Sequence, residues 1–295
     1  MKSGVPNIFK DSELQERFEK DGFVKIRLLE ETDVQHLINL FKYYFPSPSK
    51  DFFSSSYEND FPLKKEISDA IGKTILPNLE NIFLDYAWFG SAFLSKGNGP
   101  RSEMPMHQDW TIVDETKYIA LNIWTPLQNT TEENGTLEVI KGSHKWHKTL
   151  RAPTLPFYFD GSQSKIKEKL TVIPTLATEA VVLNQAIIHY SKANKTNETR
   201  IAITTGIKSK GAPMIFHYWN KENPNEIEKF NQDDDFLLKF SDFHKDIFKR
   251  PQLGESTGKF AFQKQQASEQ EIHNLIQNKA EAKSFASKLL QWLKS

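Results

Sequence analysis

The first part of the chain carries apolar residues at helical spacing, interrupted by one strand-like stretch. Leu14 and Phe18 lie four residues apart, which places them on one face of an amphipathic helix. Apolar and polar residues then alternate over residues 23–28, as in a strand with one buried face. Helical spacing returns over residues 31–44, and a proline just beyond ends it. We therefore expect a mainly helical N-terminal part over residues 1–83.

The middle of the chain, residues 84–218, contains short apolar runs separated by Gly, Pro and Asn. An Asn-Gly pair at residues 134–135 favours a tight reversal of the chain. Runs typical of strands cover residues 120–127, 136–140, 179–189 and 200–207. Many short strands with such punctuation are typical of a β-barrel or a jelly roll, so we expect a jelly-roll core here.

The last part, residues 219–295, is polar and shows helical spacing. Apolar residues from Ile272 to Leu293 fall on one helix stripe, which predicts a helix that packs on the core. A chain of 295 residues is compatible with one large β domain and its extensions. We expect a single domain over residues 1–295, mainly β with flanking helices, with a helical extension over 219–295.

Composition and charge narrow the classes of function. The 38 basic and 38 acidic side chains cancel, which argues against nucleic acid as a partner. No apolar run is long enough to span a membrane and no secretory signal is visible, so we expect a cytoplasmic protein without a membrane partner. The absence of cysteine excludes thiolate chemistry but leaves histidine and carboxylate metal sites open. The oligomeric state stays open.

A His-x-Asp pair, His107 and Asp109, is the first candidate for metal ligation. On a strand these two side chains point to the same face and can converge on one ion. A second pair, His244 and Asp246, lies in a stretch with helical spacing, where residues two apart point in different directions. We therefore interpret the second pair as a solvated helix face and the first as a candidate site.

His189 supplies a possible third ligand at the end of the apolar run 179–189. Two histidines and one carboxylate form the facial triad of non-haem Fe(II) oxygenases. Arg200 follows eleven residues later, at the start of a predicted strand. A guanidinium inside a β core needs an anion, and its planar fork suits the carboxylate of a dicarboxylate. Ser191 faces the same side as His189 and could add a hydroxyl contact.

Other interpretations of these residues remain open on the spacing alone. His189 is compatible with a structural histidine, and Arg200 with a surface ion pair to Glu198. Two histidines and one aspartate also suit a hydrolytic zinc site, although such a site leaves Arg200 without a role.

Five stretches in this order resemble the phytanoyl-CoA dioxygenase family of Fe(II)/2-oxoglutarate oxygenases. The matching stretches are residues 18–25, 106–110, 123–126, 134–145 and 189–200. The resemblance implies a double-stranded β-helix, the cupin-like jelly roll, with Fe(II) held at one mouth. It also implies His107, Asp109 and His189 as iron ligands and Arg200 as the residue that binds 2-oxoglutarate, with Ser191 and Trp124 lining the co-substrate pocket.

The function implied by this resemblance is oxidation of a small molecule. The enzyme would consume O2 and 2-oxoglutarate, hydroxylate its substrate and release succinate and CO2. Desaturation or cyclisation by the same kind of site is an alternative, as is a jelly-roll protein that senses a ligand or metal without catalysis. The identity of the substrate stays open, because one fold hosts many substrates.

Overall fold

The computed structural model describes residues 7–146 and 150–277. Its helices are α1 (Ser12–Asp21), α2 (Glu31–Tyr44), α3 (Phe61–Leu79), α4 (Gln163–Lys167) and α5 (Phe243–Asp246). Its strands are β1 (Phe23–Arg27), β2 (Phe52–Ser54), β3 (Tyr86–Lys96), β4 (Met104–His107), β5 (Ala120–Pro126), β6 (Leu137–Val139), β7 (Thr171–Ile173), β8 (Glu179–Asn184), β9 (His189–Ser191), β10 (Arg200–Ser209), β11 (Met214–Trp219), β12 (Glu226–Gln232) and β13 (Glu255–Ala261). Within these residues no helix is long and apolar enough to cross a membrane.

The first two helices and the strand between them lie where the sequence predicts. The Asp11 carboxylate accepts hydrogen bonds from the first free amides of α1, and Gly22, with φ of 81°, ends that helix. The chain then enters β1 at once. Helix α2 covers the predicted residues and places Leu37 and Phe41 in the core. The predicted helix, strand and helix are confirmed.

Two antiparallel sheets form the centre of the molecule. The larger has the strand order β1-β8-β5-β10-β3-β2 and the smaller the order β4-β9-β6-β7. Apolar side chains from both sheets meet in one buried cluster, which includes Trp124 of β5, Val139 of β6 and Ala202 of β10. This arrangement confirms the predicted jelly-roll core.

Alternate residues of strand β10 face the hydrophobic core on one side of the larger sheet and the cavity on the other. Ile201 and Ile203 point to a second cluster, where the helices α1 to α3 cover the outer face of the sheet. Arg200, Ala202 and Thr204 point to the opposite face, toward the smaller sheet. The period of two therefore delivers Arg200 to the interior as predicted.

The run over residues 179–189 is two strands rather than one. The chain turns after β8, where the Asn184 side chain accepts from the Ala186 amide and its carbonyl accepts from Ile187. This turn transfers the chain from the larger sheet to the smaller one, so His189 begins β9 instead of ending β8. Asn184 and Gln185 are polar residues at this turn, but apolar buried segments on both sides made the run resemble one strand.

The helical extension predicted over residues 219–295 is wrong for residues 219–261, whereas residues 269–277 are helical as predicted. The strands β11, β12 and β13 form a third antiparallel sheet, and α5 is a single short turn of helix. The strand β12 buries Ile227 and Phe230 together with Glu228, which pairs with Arg250, so its polar composition does not reveal a strand. In the predicted stripe, Ile272 is buried; residues 278–295 lie outside the described residues.

Candidate active site

His107 and His189 lie directly opposite each other on paired strands of the smaller sheet. His107 ends β4, His189 begins β9, and their rings are 4.2 Å apart between centroids. Asp109 follows two residues later, with its Oδ1 atom 3.7 Å from His107 Nε2 and 3.8 Å from His189 Nε2. One donor atom from each residue lies within 4.8 Å of the others. The three side chains converge as the sequence predicts, and they could hold one metal ion.

Hydrogen bonds orient all three donors toward the same point. Nδ1 of His107 lies 2.7 Å from the Pro105 carbonyl, and Nδ1 of His189 lies 3.0 Å from the Ile187 carbonyl. Each Nδ1–H therefore donates to a carbonyl, which leaves each Nε2 free of a proton for a metal. Asn122 donates to Asp109 Oδ2 at 3.3 Å and leaves Oδ1 facing the histidines.

The charge state of His107 suits ligation. Desolvation inside the cavity, followed by the neighbouring His189, lowers the pKa of His107 to about 4. The ring is therefore neutral at physiological pH, and a neutral imidazole is the form that binds metals.

Arg151 fixes the backbone on which Asp109 sits. Its Nε donates to the Asp109 carbonyl at 2.7 Å, and its amide donates to Thr111 Oγ1 at 3.1 Å. The Thr111 amide donates back to the Arg151 carbonyl at 2.9 Å, and the guanidinium forms an ion pair with Glu115. The loop after the His-x-Asp pair is thus tied to a distant segment at Asp109 and again at Thr111.

Arg200 is buried at one end of the same cavity. It is 2% exposed, and its Nε and Nη1 atoms have no hydrogen-bond partner. Among the described residues no ion pair joins it to Glu198. Burial lowers its pKa to about 9, and its guanidinium lies 5.4 Å from the centroid of the Trp124 ring. A buried cation with unused donors is costly unless an anion meets it, so this end of the cavity is suited to a carboxylate.

Lys96 brings a second buried cation to the same place. It lies opposite Arg200 in the register of β3 and β10 and is fully buried. Its ammonium donates to the carbonyls of Ser191 at 2.8 Å and Lys192 at 2.6 Å. Burial, and then the charge of Arg200, lower the pKa of Lys96 to about 6. An anion bound here would relieve both effects.

Ser191 and Trp124 both line this cavity, as the sequence predicts. The Ser191 hydroxyl donates its proton to the Gly135 carbonyl at 2.7 Å. In this arrangement it can accept a hydrogen bond but has no proton left for a carboxylate. Its position therefore agrees with the prediction, and its hydroxyl proton is already used within the protein.

The cavity has a volume of about 460 Å³, and the triad lines it together with two groups of residues of different character. Arg200 and Lys96 form the basic group, whereas Trp110, Leu237 and Phe243 belong to the apolar one. A volume of this size is typical of small-molecule sites. His244 and Asp246, on the short helix α5, do not join a ligand cluster within the described residues.

Comparison with known proteins identifies the family. The family model described as "Phytanoyl-CoA dioxygenase (PhyH)" matches residues 18–202, well over half of the chain. The chain belongs to the phytanoyl-CoA dioxygenase (PhyH) family. The matched region contains the triad, Arg200, Lys96 and the strands of both jelly-roll sheets up to the start of β10.

Two curated relatives match shorter stretches of this chain at low sequence identity. The chain is 26% identical over 123 residues to "Phytanoyl-CoA dioxygenase domain-containing protein 1 homolog" of Dictyostelium discoideum, covering 39% of this chain and 44% of that protein. It is 28% identical over 141 residues to "Phytanoyl-CoA dioxygenase domain-containing protein 1" of Danio rerio, covering 45% and 47%. The chain thus spans less than half the length of the curated relatives it matches.

A solved structure shares the fold. The epimerase SnoN, in a crystal structure with Fe3+, alpha ketoglutarate and nogalamycin RO, superposes with a TM-score of 0.50 at 15% identity. The match covers 69% of this chain and 85% of SnoN. The PhyH fold of this chain is therefore also that of an experimentally determined protein.

Three residues of the PhyH-family site were missed at the sequence level. Lys96, Asn122 and Arg151 reach the site only through sheet pairing or a loop contact from far along the chain. A lysine at the end of an otherwise apolar strand was the one available signal for Lys96. Nothing in the local pattern around Asn122 or Arg151 indicates the contact with Asp109.

Proposed function

We propose that this protein is an Fe(II)/2-oxoglutarate-dependent dioxygenase that hydroxylates a small-molecule substrate. One observation carries the proposal: a complete His-Asp-His donor set shares a cavity with a buried arginine whose Nε and Nη1 atoms have no partner. A zinc hydrolase needs the three donors but not the buried arginine. A 2-oxoglutarate oxygenase needs both.

The donors fit Fe(II). Two neutral imidazoles and one carboxylate are the ligand set of non-haem Fe(II) oxygenases. His107, Asp109 and His189 would hold the ion, and Asn122 would keep the Asp109 carboxylate in a single-oxygen mode. When bound, the ion would supply the oxygen chemistry that no side chain can perform.

The other end of the cavity fits 2-oxoglutarate. Arg200 offers two buried N–H donors for the distal carboxylate, and Lys96 would add a second positive charge when the bound anion raises its pKa. Trp124 packs beside the guanidinium and covers it from water. These residues would bind, orient and desolvate the co-substrate so that its keto-acid end faces the triad.

The overall reaction is balanced by its co-substrates. Substrate R–H, O2 and 2-oxoglutarate give R–OH, succinate and CO2. Desaturation or cyclisation would use the same oxidant and the same residues, and product analysis distinguishes these outcomes. The chain's part in each case is to place the substrate beside the metal and exclude water.

Single-turnover assays test the proposal. Purified protein with Fe(II), O2 and labelled 2-oxoglutarate should release labelled CO2 and form succinate, slowly without substrate and faster with it. His107→Ala should abolish this release, whereas His244→Ala, a histidine outside the site, should not. Succinate formation equal to a metal-free control would reject catalysis. Metal and 2-oxoglutarate binding without succinate would favour the non-catalytic sensor.

A further inference from the structure

The proposed function gives each charged side chain of the cavity a role in binding the metal or 2-oxoglutarate. Among the described residues that line it, the groups that carry charge are the triad, Lys96 and Arg200. Once metal and 2-oxoglutarate bind, no charged side chain remains to face a substrate. A substrate carboxylate or phosphate buried beside the metal would therefore lack a counter-charge.

The remaining wall is mostly apolar and partly aromatic, and its polar members, such as Ser56, Ser91 and Gln185, are uncharged. Its side chains come from the loop after Asp109, from the segment after β2 and from the C-terminal part: Tyr57, Trp110, Ile112, Leu237, Leu238 and Phe243. The rings of Trp110 and Phe243 stack with centroids 6.0 Å apart and an interplanar angle of 11°. Tyr57 packs on Phe243 with centroids 4.9 Å apart. Such a surface favours hydrocarbon and excludes charge.

The C-terminal part of this wall is held in place. Buried Lys64 donates to the Phe240 carbonyl at 2.6 Å, from helix α3. Lys208 of β10 donates to the Ala212 carbonyl and lies 3.2 Å from an Asp234 carboxylate oxygen. The segment that carries Leu237 is therefore tied to the core on both sides, and the wall is formed before a substrate arrives.

This segment also lies outside the region shared with the family. The family model ends at residue 202, whereas Leu237, Leu238 and Phe243 follow it by more than thirty residues. The shared core thus supplies the ligands for metal and co-substrate, and the chain's own C-terminal part supplies the wall that a substrate touches.

We propose that the substrate group presented to the metal is an uncharged hydrocarbon, aliphatic or aromatic, and that Leu237, Leu238 and Phe243 select it. The inference rests on the proposed function, because it assumes that metal and 2-oxoglutarate use the charged residues. Any anionic group of the substrate stays outside the cavity.

Displacement of a neutral fluorescent probe tests this inference without turnover. Nile red is bound to protein loaded with Ni(II) and 2-oxoglutarate, and is displaced by 1-decanol or by decanoate. These competitors share a chain length and differ in charge. We expect decanol to displace the probe at a concentration at least about tenfold lower than decanoate does. Equal displacement by the two would overturn the inference.

A charge placed on the wall should reverse the preference. Leu237→Lys should make decanoate the better competitor, whereas Leu253→Lys, an exposed leucine that does not line the cavity, should leave the wild-type ratio. An unchanged ratio in a folded Leu237→Lys protein would also overturn the inference. Loss of Ni(II) or 2-oxoglutarate binding in the wild type would instead refute the proposed function, so the two failures are distinguishable.

Discussion

Replacing Arg200 by methionine should separate a co-substrate receptor from a structural residue. The side chain is 2% exposed and two of its nitrogens lack partners. Methionine has a similar length and no charge, so the packing beside Trp124 is largely preserved. Arg200→Met therefore removes the charge and the donors with little change in volume.

The two expected effects have opposite directions. Hydrogen bonds to a charged group contribute about 1.5–3 kcal/mol each, so losing two should weaken 2-oxoglutarate binding by roughly 10²–10⁴-fold. Lys96 still attracts the carboxylate of 2-oxoglutarate in the variant. We therefore expect the loss of affinity to fall in the lower half of this range. Burial lowers the pKa of Arg200 to about 9, which corresponds to roughly 5 kcal/mol against the charged side chain in the folded protein. The unliganded variant should therefore be as stable as the wild type, or up to about 4 kcal/mol more stable.

Calorimetric titration and urea denaturation measure the two effects separately. The titration uses Ni(II)-loaded protein and 2-oxoglutarate, and the denaturation uses protein without ligand. Arg27→Met is the matched control, because Arg27 is exposed and paired with Glu30. A variant that loses more than about 1 kcal/mol of stability, with its affinity for 2-oxoglutarate unchanged, would refute the reasoning.

Three further predictions concern the support of the site. Asn122→Leu should weaken metal binding by about 10–100-fold, measured by competition with a chelator, because Asp109 Oδ2 loses its donor; unchanged affinity would contradict this. Lys96, whose pKa is about 6, is largely neutral in the free protein near neutral pH, and a bound anion raises that pKa. Binding of 2-oxoglutarate should therefore take up as much as one proton and tighten as the pH falls toward 6; calorimetry in buffers of different ionisation enthalpy should show this uptake in the wild type and none in Lys96→Met. Gly135→Ala should lower stability in urea by about 2 kcal/mol or more, because Gly135 has φ of 74° and an added Cβ would lie 2.4 Å from the Lys192 carbonyl oxygen; a loss below about 0.5 kcal/mol would show that the turn relaxes.

The sequence predicted the metal ligands because their spacing follows strand geometry. His107 and Asp109 are two residues apart, and a period of two brings them to one face. Arg200 was predicted because a cation at the start of an apolar strand needs an anion. These inferences depend on local order along the chain, which a sequence displays directly.

The supporting residues depend on tertiary contacts that local patterns do not encode. Lys96 faces Arg200 only through the pairing of β3 with β10, and Arg151 reaches Asp109 from a loop far along the chain. The third sheet was missed for a related reason, because β12 lacks a regular alternation of apolar and polar residues: its buried positions are Ile227, Glu228 and Phe230. Polar strands of this kind resemble helices in composition, and only their pairing partners distinguish them.

Anaerobic addition of Fe(II) and 2-oxoglutarate to the protein probes the proposed metal site and the proposed co-substrate site together. Chelation of Fe(II) by the keto-acid end in the proposed site should produce a weak visible charge-transfer band that saturates at one equivalent of each. His107→Ala should lose the band, and Arg200→Met should require much more 2-oxoglutarate to develop it. A wild-type protein that binds Fe(II) yet shows no band at saturating 2-oxoglutarate would contradict the account.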